Sequence, residues 1–481
     1  MAPAIHLVTA LASAPESAMR PLLLLPEMLM FLGGLTALLC GSFLARDRQW
    51  LTRVVVALAL LGAGVASALS LGGPAQPAFE GSFTVDTTTG VARILLVLGT
   101  LLVLGLATDE IAASPRESET YALLLFSATG TLVLAGADDI LVLVVGFLLA
   151  SIPLYGLIGL AGGAVSAEAA MKTYLLGALF GIVLMGGVTA LYGVTGTTGY
   201  AELAQRLPDA PAGAVAAGVL AVLAGLMFKT GGVPAHFWVP DAAQGASVTA
   251  AAFLTTVPKI GAVIAAYRLV LTLPDTLAWP LLVAVLATIS MTLGNLAAYW
   301  QSDPRRLLGW STVSQVGFLL VPVVVAGASE LALPSLLIYL TGYTVTNIAA
   351  FAVTAALPQR HTLESYRGLG RDHPWLSLAF VVSLLGLVGT PPTAVFVGKL
   401  TTATAAWDGG WAWLAIVVLV NTLLSLFYYL RWIVQPFRSD RSPAPETSTP
   451  RPWSVRTAVM AAALSVGLGI AAGGVWNTVA G

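Results

Sequence analysis

Residues 228–268 read FKTGGVPAHFWVPDAAQGASVTAAAFLTTVPKIGAVIAAYR. An apolar stretch ends on Lys229, and Gly231, Gly232 and Pro234 then interrupt any continuous helix. His236 and Asp241 follow, and a second apolar stretch carries Lys259 directly after Pro258. The 481-residue chain around them is 57% hydrophobic and 9% charged, with a mean hydropathy of +0.89. A soluble domain carries about 25% charge, so the chain reads as an all-α polytopic membrane protein whose solvent is the lipid bilayer. Ionisable groups inside the bilayer are costly and are therefore functional candidates. A net charge of −1 gives no footprint for nucleic acid. A single cysteine, Cys40, excludes an intrachain disulfide, and histidines 6, 236, 361 and 373 have no ligand spacing. No cofactor or metal is expected in this chain.

A membrane helix needs about 20 apolar residues. Spans are expected near 21–45, 50–71, 91–108, 121–137, 140–162, 169–193, 212–230, 247–271, 279–300, 306–327, 331–357, 375–405, 410–434 and 454–476, about fourteen in all. Charge tests the count. The odd-numbered loops carry Arg46, Arg48 and Arg53; Arg116; Arg305 and Arg306; Arg360, Arg367 and Arg371; then Arg438, Arg441, Arg451 and Arg456. The even-numbered loops hold only Arg206, with Arg93 and Arg268 flanking spans. The positive-inside rule then puts the odd loops in the cytoplasm and both termini outside it. Residues 1–20 lack a basic start, so no cleaved signal is expected. The stretch 435–453, rich in proline and small polar residues, reads as a cytoplasmic linker within a single membrane domain, 1–481.

The seventh span breaks at Gly231–Pro234, and the twelfth contains Gly389, Thr390, Pro391 and Pro392. Freed backbone groups at membrane depth must face protein or water. Broken helices in matching places of two halves mark a transport path. Each break falls in the fourth span of a set of five, 121–271 and 279–434, which suggests two inverted five-helix repeats.

The chain has 18 arginines and four lysines, 172, 229, 259 and 399. Arginine stays protonated, whereas a buried lysine can titrate. Lys229, Lys259 and Lys399 lie inside or beside broken or proline-bearing spans and read as a proton relay, helped by Thr255, Thr256, Ser311, Ser314, Gln315, Thr393 and His236. The plainer alternative is snorkelling to the interface, which is the reading adopted for Lys172. Aromatic residues read as packing or lipid-facing.

KTGGVPAHFWVPDAAQGAS followed by FLTTVPK resembles the signature of the antiporter-like, proton-translocating membrane subunits of respiratory complex I. DPRRLLGWSTVSQVGF and SLLGLVGTPPTAVFVGKL resemble two further motifs in the same order, and the likeness covers roughly residues 20–435. Within that family the FLTTVPK form of span eight and Lys399 in span twelve resemble the subunit N branch of NADH-quinone oxidoreductase. The resemblance implies a translocase role as a non-redox subunit, with Lys229, Lys259 and Lys399 on the proton path and His236 near its cytoplasmic mouth. Pro234, Pro258, Pro391, Pro392 and Gln315 would support them. It implies other membrane subunits of a complex I-like assembly as partners, a bacterial inner-membrane location, and NADH, flavin, iron–sulfur clusters and quinone on other subunits. An Mrp-type cation/proton antiporter and a hydrogenase membrane subunit are the alternatives, with a structural spacer a further one. Two positions depart from the family pattern. Its fifth helix carries a glutamate that pairs with the seventh-helix lysine, and the matching stretch GFLLASIPLY has Leu148 there. Its tenth helix carries a histidine where this chain has Gln315. A divergent paralogue with a degenerate first half-channel is therefore a further alternative, with Lys229 expected to be neutral more often or paired by another subunit.

Overall fold

The computed structural model describes residues 19–438 and 449–480. The readings of the first 18 residues and of most of the 435–453 linker lie outside the described residues. In chain order the helices are α1 (Leu25–Phe43), α2 (Trp50–Ser70), α3 (Thr87–Glu110), α4 (Glu117–Gly136), α5 (Ile140–Gly159), α6 (Gly163–Thr195), α7 (Tyr200–Arg206), α8 (Ala212–Thr230), α9 (Trp238–Gly245) and α10 (Val248–Val270). Then come α11 (Trp279–Tyr299), α12 (Pro304–Val324), α13 (Ala332–Ala356), α14 (Leu369–Asp372), α15 (Pro374–Val388), α16 (Ala394–Asp408), α17 (Ala412–Ile433), α18 (Pro452–Ile470) and α19 (Ala472–Ala480). The protein is a polytopic α-helical membrane protein.

Among the described residues, 13 helices are long and apolar enough to cross a bilayer. The expected twelfth span is instead two pieces of 15 residues each, α15 and α16. Fifteen residues reach about 22 Å, short of the roughly 30 Å hydrocarbon core, so neither piece spans alone. One small departure from all-helix is an antiparallel hairpin, β1 (Gln76–Ala78) with β2 (Phe83–Val85), registering Pro77 opposite Thr84. Phe83 of this hairpin lies in the space left by Gly136.

Burial sorts the helices. Every residue of α10 except Arg268 is buried, and α12 and α13 are buried nearly all round. A helix that is apolar on all sides belongs inside a bundle. The outer helices α1, α2, α6 and α11 keep apolar side chains such as Leu58, Leu175 and Ile289 exposed, as a lipid-facing surface requires. One reading needs correcting. Arg93 does not flank a span: it lies inside α3, buried, with its Nε 2.8 Å from Glu27 of α1. Lys172 is half exposed, and its Nζ lies between Glu168 and Asp241.

Glu110 and Val248, at the ends of α3 and α10, line one cavity with Asp303, His361 and Arg451 from three odd-numbered connections. At the far end of α3, the Arg268 guanidinium donates to both Asp86 oxygens (2.7 and 2.8 Å) and to the Ala135 carbonyl.

Candidate functional site

Both interruptions are built alike. α8 ends on Gly231 at φ 80° and α15 ends on Gly389 at φ 91°, left-handed caps that favour glycine. Three residues after each glycine stands a cis-proline, Pro234 after Val233 and Pro392 after Pro391. The chain then enters a short helix, α9 or α16. A helix that stops leaves its last carbonyls without intrahelical donors, and each set is met by a buried lysine. Lys259 Nζ donates to Thr230 O at 2.6 Å. Lys399 Nζ donates to Leu387 O and Val388 O at 3.2 and 2.9 Å. Helix C-termini attract cations. The glycines also make room: a Cβ on Gly231 would lie 3.1 Å from Lys259 Nζ, and one on Gly389 2.9 Å from Lys399 Cδ. The Trp238 ring lies 5.5 Å from Lys259 Nζ and the Phe318 ring 4.2 Å from Lys399 Nζ. Neither lysine has an ion pair within the described residues.

Buried polar groups lie on α10, α12, α13 and α17 near the two lysines. Thr255, one turn before Lys259, accepts at its carbonyl from the Tyr343 hydroxyl (2.7 Å), whose oxygen lies 3.2 Å from Thr312 Oγ1. Asn347 Nδ2 donates to Thr255 Oγ1 at 3.0 Å. Next to Thr312 on α12, Ser311 shares a hydrogen bond with the Tyr429 hydroxyl. Gln315, one turn further, accepts from Tyr339 (2.6 Å) and donates to Leu387 O (2.9 Å), the carbonyl that Lys399 also uses. Gln315 thus joins α12, α13 and α15 at the second break. Ser314 turns away to Asn295 Oδ1. Thr256 bonds back to Ala252 O, and Thr393 to Thr390 O within the second break. Pro258 sits inside α10 and cannot donate to the Leu254 carbonyl.

The sequence reading of aromatics as packing misses Tyr339, Tyr343 and Tyr429, all fully buried. The available signal was the repeat of tyrosines at 339 and 343, which i,i+4 spacing puts on one helix face, beside polar positions 311, 312 and 315 of the preceding span.

Lys229 is set apart. It is buried at the last turn of α8, and its Nζ donates to Ser151 Oγ of α5 at 3.0 Å. Leu148 lies one turn before Ser151 on the same helix and brings no carboxylate. Asp139, at the other end of α5, is its N-cap and accepts from Leu141 N and Val142 N.

His236 lies in the first break. Its ring sits 5.6 Å from that of Trp310, and Nδ1 is buried with no partner among the described residues. Five residues on, Asp241 ties the short helix α9 to both halves of the chain. It accepts from Lys172 Nζ of α6 (2.9 Å) and from Arg306 of α12. Arg305 donates to the Gln244 and Ala246 carbonyls. Burial pushes the Asp241 carboxyl up, but the hydrogen bonds from Lys172 and Arg306 outweigh it and hold it below the usual carboxylate value. No cluster of metal-ligating side chains occurs among the described residues.

Comparison with known proteins follows the same outline. Residues 137–425 match the family model described as NADH:quinone oxidoreductase/Mrp antiporter, TM. The chain is 69% identical to NADH-quinone oxidoreductase subunit N of Mycobacterium sp. (strain JLS) over 97% of its own length and 99% of that protein. Among solved structures it superposes with TM-score 0.81 and 31% identity on a chain of respiratory complex I from Thermus thermophilus, covering 95% of this chain and all of that one. A chain of the Mrp complex from Dietzia sp. DQ12-45-1b gives TM-score 0.82 at 23% identity, with 97% of each chain covered; that likeness is one of fold.

Proposed function

The chain belongs to the NADH-quinone oxidoreductase subunit N family, and from that premise we propose that its buried lysines move protons across the membrane. It is a membrane subunit of an enzyme complex and sits among the other membrane subunits of the complex I arm. NADH, flavin, iron–sulfur clusters and quinone belong, in this reading, to the other subunits, and this chain answers their redox chemistry by proton transfer alone.

The observation that carries the proposal is the docking of Lys259 and Lys399 on the two helix breaks, with Gln315 sharing the Leu387 carbonyl with Lys399 and buried hydroxyl and amide groups lying in the region between. A buried ammonium held by carbonyls alone is poised between keeping and releasing its proton, because carbonyl dipoles favour the charge and the low dielectric opposes it. Gln315 does not titrate, so it orients Lys399 and the tyrosine hydroxyls, and the lysines store the protons. His236 and Asp241 lie towards the end of the first break that carries the odd-numbered loops, and we assign His236 to the mouth of the path. The matching construction of the two breaks supports two five-helix repeats, 121–271 and 279–434.

A second reading concerns the first repeat alone. Ser151 is a neutral partner for Lys229 where the family uses a carboxylate. We infer that the Lys229 step is altered, or that this half-channel is degenerate, while Lys259 and Lys399 carry the transfer. A cation antiporter is less well supported, since the FLTTVPK form of α10 and the 69% identity both favour the oxidoreductase branch. The test uses the whole complex in proteoliposomes, with NADH oxidation and proton uptake measured together. Lys259→Met and Lys399→Met are expected to lower protons moved per NADH. Full pumping by both variants would make the chain a structural spacer.

A further inference from the structure

We propose that the cavity beneath the odd-numbered loops, lined by Arg305, Arg360, His361 and Arg451, binds a phosphate-bearing anion that ties together the connections carrying those four residues. Its phosphate could come from inorganic phosphate or from an anionic lipid headgroup. The cavity measures about 160 Å3 and is also lined by Glu110 and Asp303. With roughly 30 Å3 to a water, it has room for a tetrahedral oxyanion.

The charges are unevenly satisfied. Glu110 spends both carboxylate oxygens on the first amides of α10, Val248 N at 2.9 Å and Thr249 N at 2.7 Å. Asp303 Oδ1 caps α12 through Arg306 N at 2.9 Å. The arginines are less fully answered: Arg360 has the Asp372 carboxylate as an electrostatic neighbour but forms no ion pair with it. Elsewhere, Arg93, Arg268 and Arg306 each hold a carboxylate. Among the described residues no ion pair involves Arg305, Arg360 or Arg451. Arg305 reaches only backbone carbonyls. Arg360 lies over the Tyr366 ring at 5.8 Å, and its Nη1 is buried with no partner among the described residues. Arg451 lines the cavity and its backbone N donates to Ala356 O.

Topology alone asks only that arginines lie on one side of the membrane. It does not ask them to converge on a cavity or to bury an unpaired nitrogen. Planar guanidinium groups match phosphate oxygens by paired hydrogen bonds, and an anion here would bridge the connections that carry Arg305, Arg360 and Arg451. The cytoplasmic leaflet is also the anionic one.

The experiment uses the purified, delipidated complex and follows hydrogen exchange at amides 248–250 and 358–363. Inorganic phosphate is titrated against chloride at matched ionic strength. In parallel, the complex is placed in phosphatidylglycerol or phosphatidylcholine nanodiscs without phosphate. Saturable protection by phosphate is expected, about tenfold when phosphate stands at ten times its Kd, and lost in Arg360→Gln and in Arg451→Gln. Protection only in phosphatidylglycerol discs, again lost in the variants, supports the site with a lipid headgroup as its source. Arg451→Gln leaves the backbone bond intact, so it tests the site even if Arg360→Gln fails to assemble. No protection in either arm, or protection unchanged in both variants, overturns the proposal. Neither arm depends on proton pumping, so its failure leaves the reading of the lysines untouched.

Discussion

Replacing Lys259 with methionine separates function from stability. The structure gives the ammonium one carbonyl acceptor, Thr230 O at 2.6 Å, and one ring, Trp238 at 5.5 Å, with no carboxylate among the described residues. A hydrogen bond to a charged group is worth about 1.5–3 kcal/mol, and a desolvated cation–π contact adds about 2 kcal/mol. Against these stands a desolvation cost of several kcal/mol for one buried ion. Methionine keeps a similar length and removes both sides, leaving Thr230 O without a donor at a cost of about 1–3 kcal/mol. The terms cancel to within a few kcal/mol, so Lys259→Met is expected to leave the apparent Tm of the assembled complex nearly unchanged while protons moved per NADH fall. Glu27→Gln supplies the contrast. It strands buried Arg93, and breaking such a pair costs about 3–5 kcal/mol. Thermal unfolding of the detergent-solubilised complex, with pumping in proteoliposomes, reads both. A loss of stability by Lys259→Met as large as that of Glu27→Gln would refute the reasoning, since the ammonium would then be a structural group.

Gly231→Ala and Gly389→Ala each force alanine into a left-handed conformation at about 1–2 kcal/mol and crowd Lys259 Nζ or Lys399 Cδ; both are expected to reduce assembly and pumping, measured by complex yield and proton uptake, whereas Gly193→Ala, with open space around it, leaves both unchanged. Leu148→Glu restores a carboxylate one turn from Ser151 and is expected to shift the pH dependence of pumping, while Ser151→Ala removes the Lys229 partner; identical pH profiles for wild type and both variants would count against an altered Lys229 step. Asp241→Asn weakens the ties of α9 to α6 and α12, and exchange at amides 236–245 is expected to speed up at neutral pH. Because the native Asp241 carboxyl is held below its ordinary value, its stabilising share is fully present above the unfolded value of about 3.9 and is lost only as pH falls through the lower, folded one. Wild-type exchange corrected for intrinsic pH effects should therefore show no change in the docking of α9 between about pH 5 and 8; a transition in that window would show another group to be in control.

Much of the site was legible because lipid makes charge and broken backbone expensive. Lys229, Lys259 and Lys399 stood out as lysines in apolar stretches, and Gly231 and Gly389 as interruptions beside them. What each lysine touches was not legible. Lys259 serves the break that follows Lys229, 29 residues away along the chain, and Lys399 serves a break behind it. Lys172 has one partner, Glu168, four residues before it, but the second, Asp241, is 69 residues distant and was not legible. The tyrosines looked like packing because a phenol is both an apolar ring and a hydroxyl, and only its neighbours select between them.

The amino-acid sequence by itself determined the membrane class, the alternation of charge between loops and the places where helices stop, since these follow from hydropathy, charge count and the conformational limits of glycine and proline; the family was legible only through the resemblance of its motifs. Tertiary structure alone decided the partners: Ser151 rather than a carboxylate at Lys229, Gln315 and Lys399 on one carbonyl, Arg93 buried on Glu27, and unpaired arginines around one cavity. A hydrogen bond or ion pair is a distance between residues far apart in the chain, and no local pattern encodes that distance until the helices have packed.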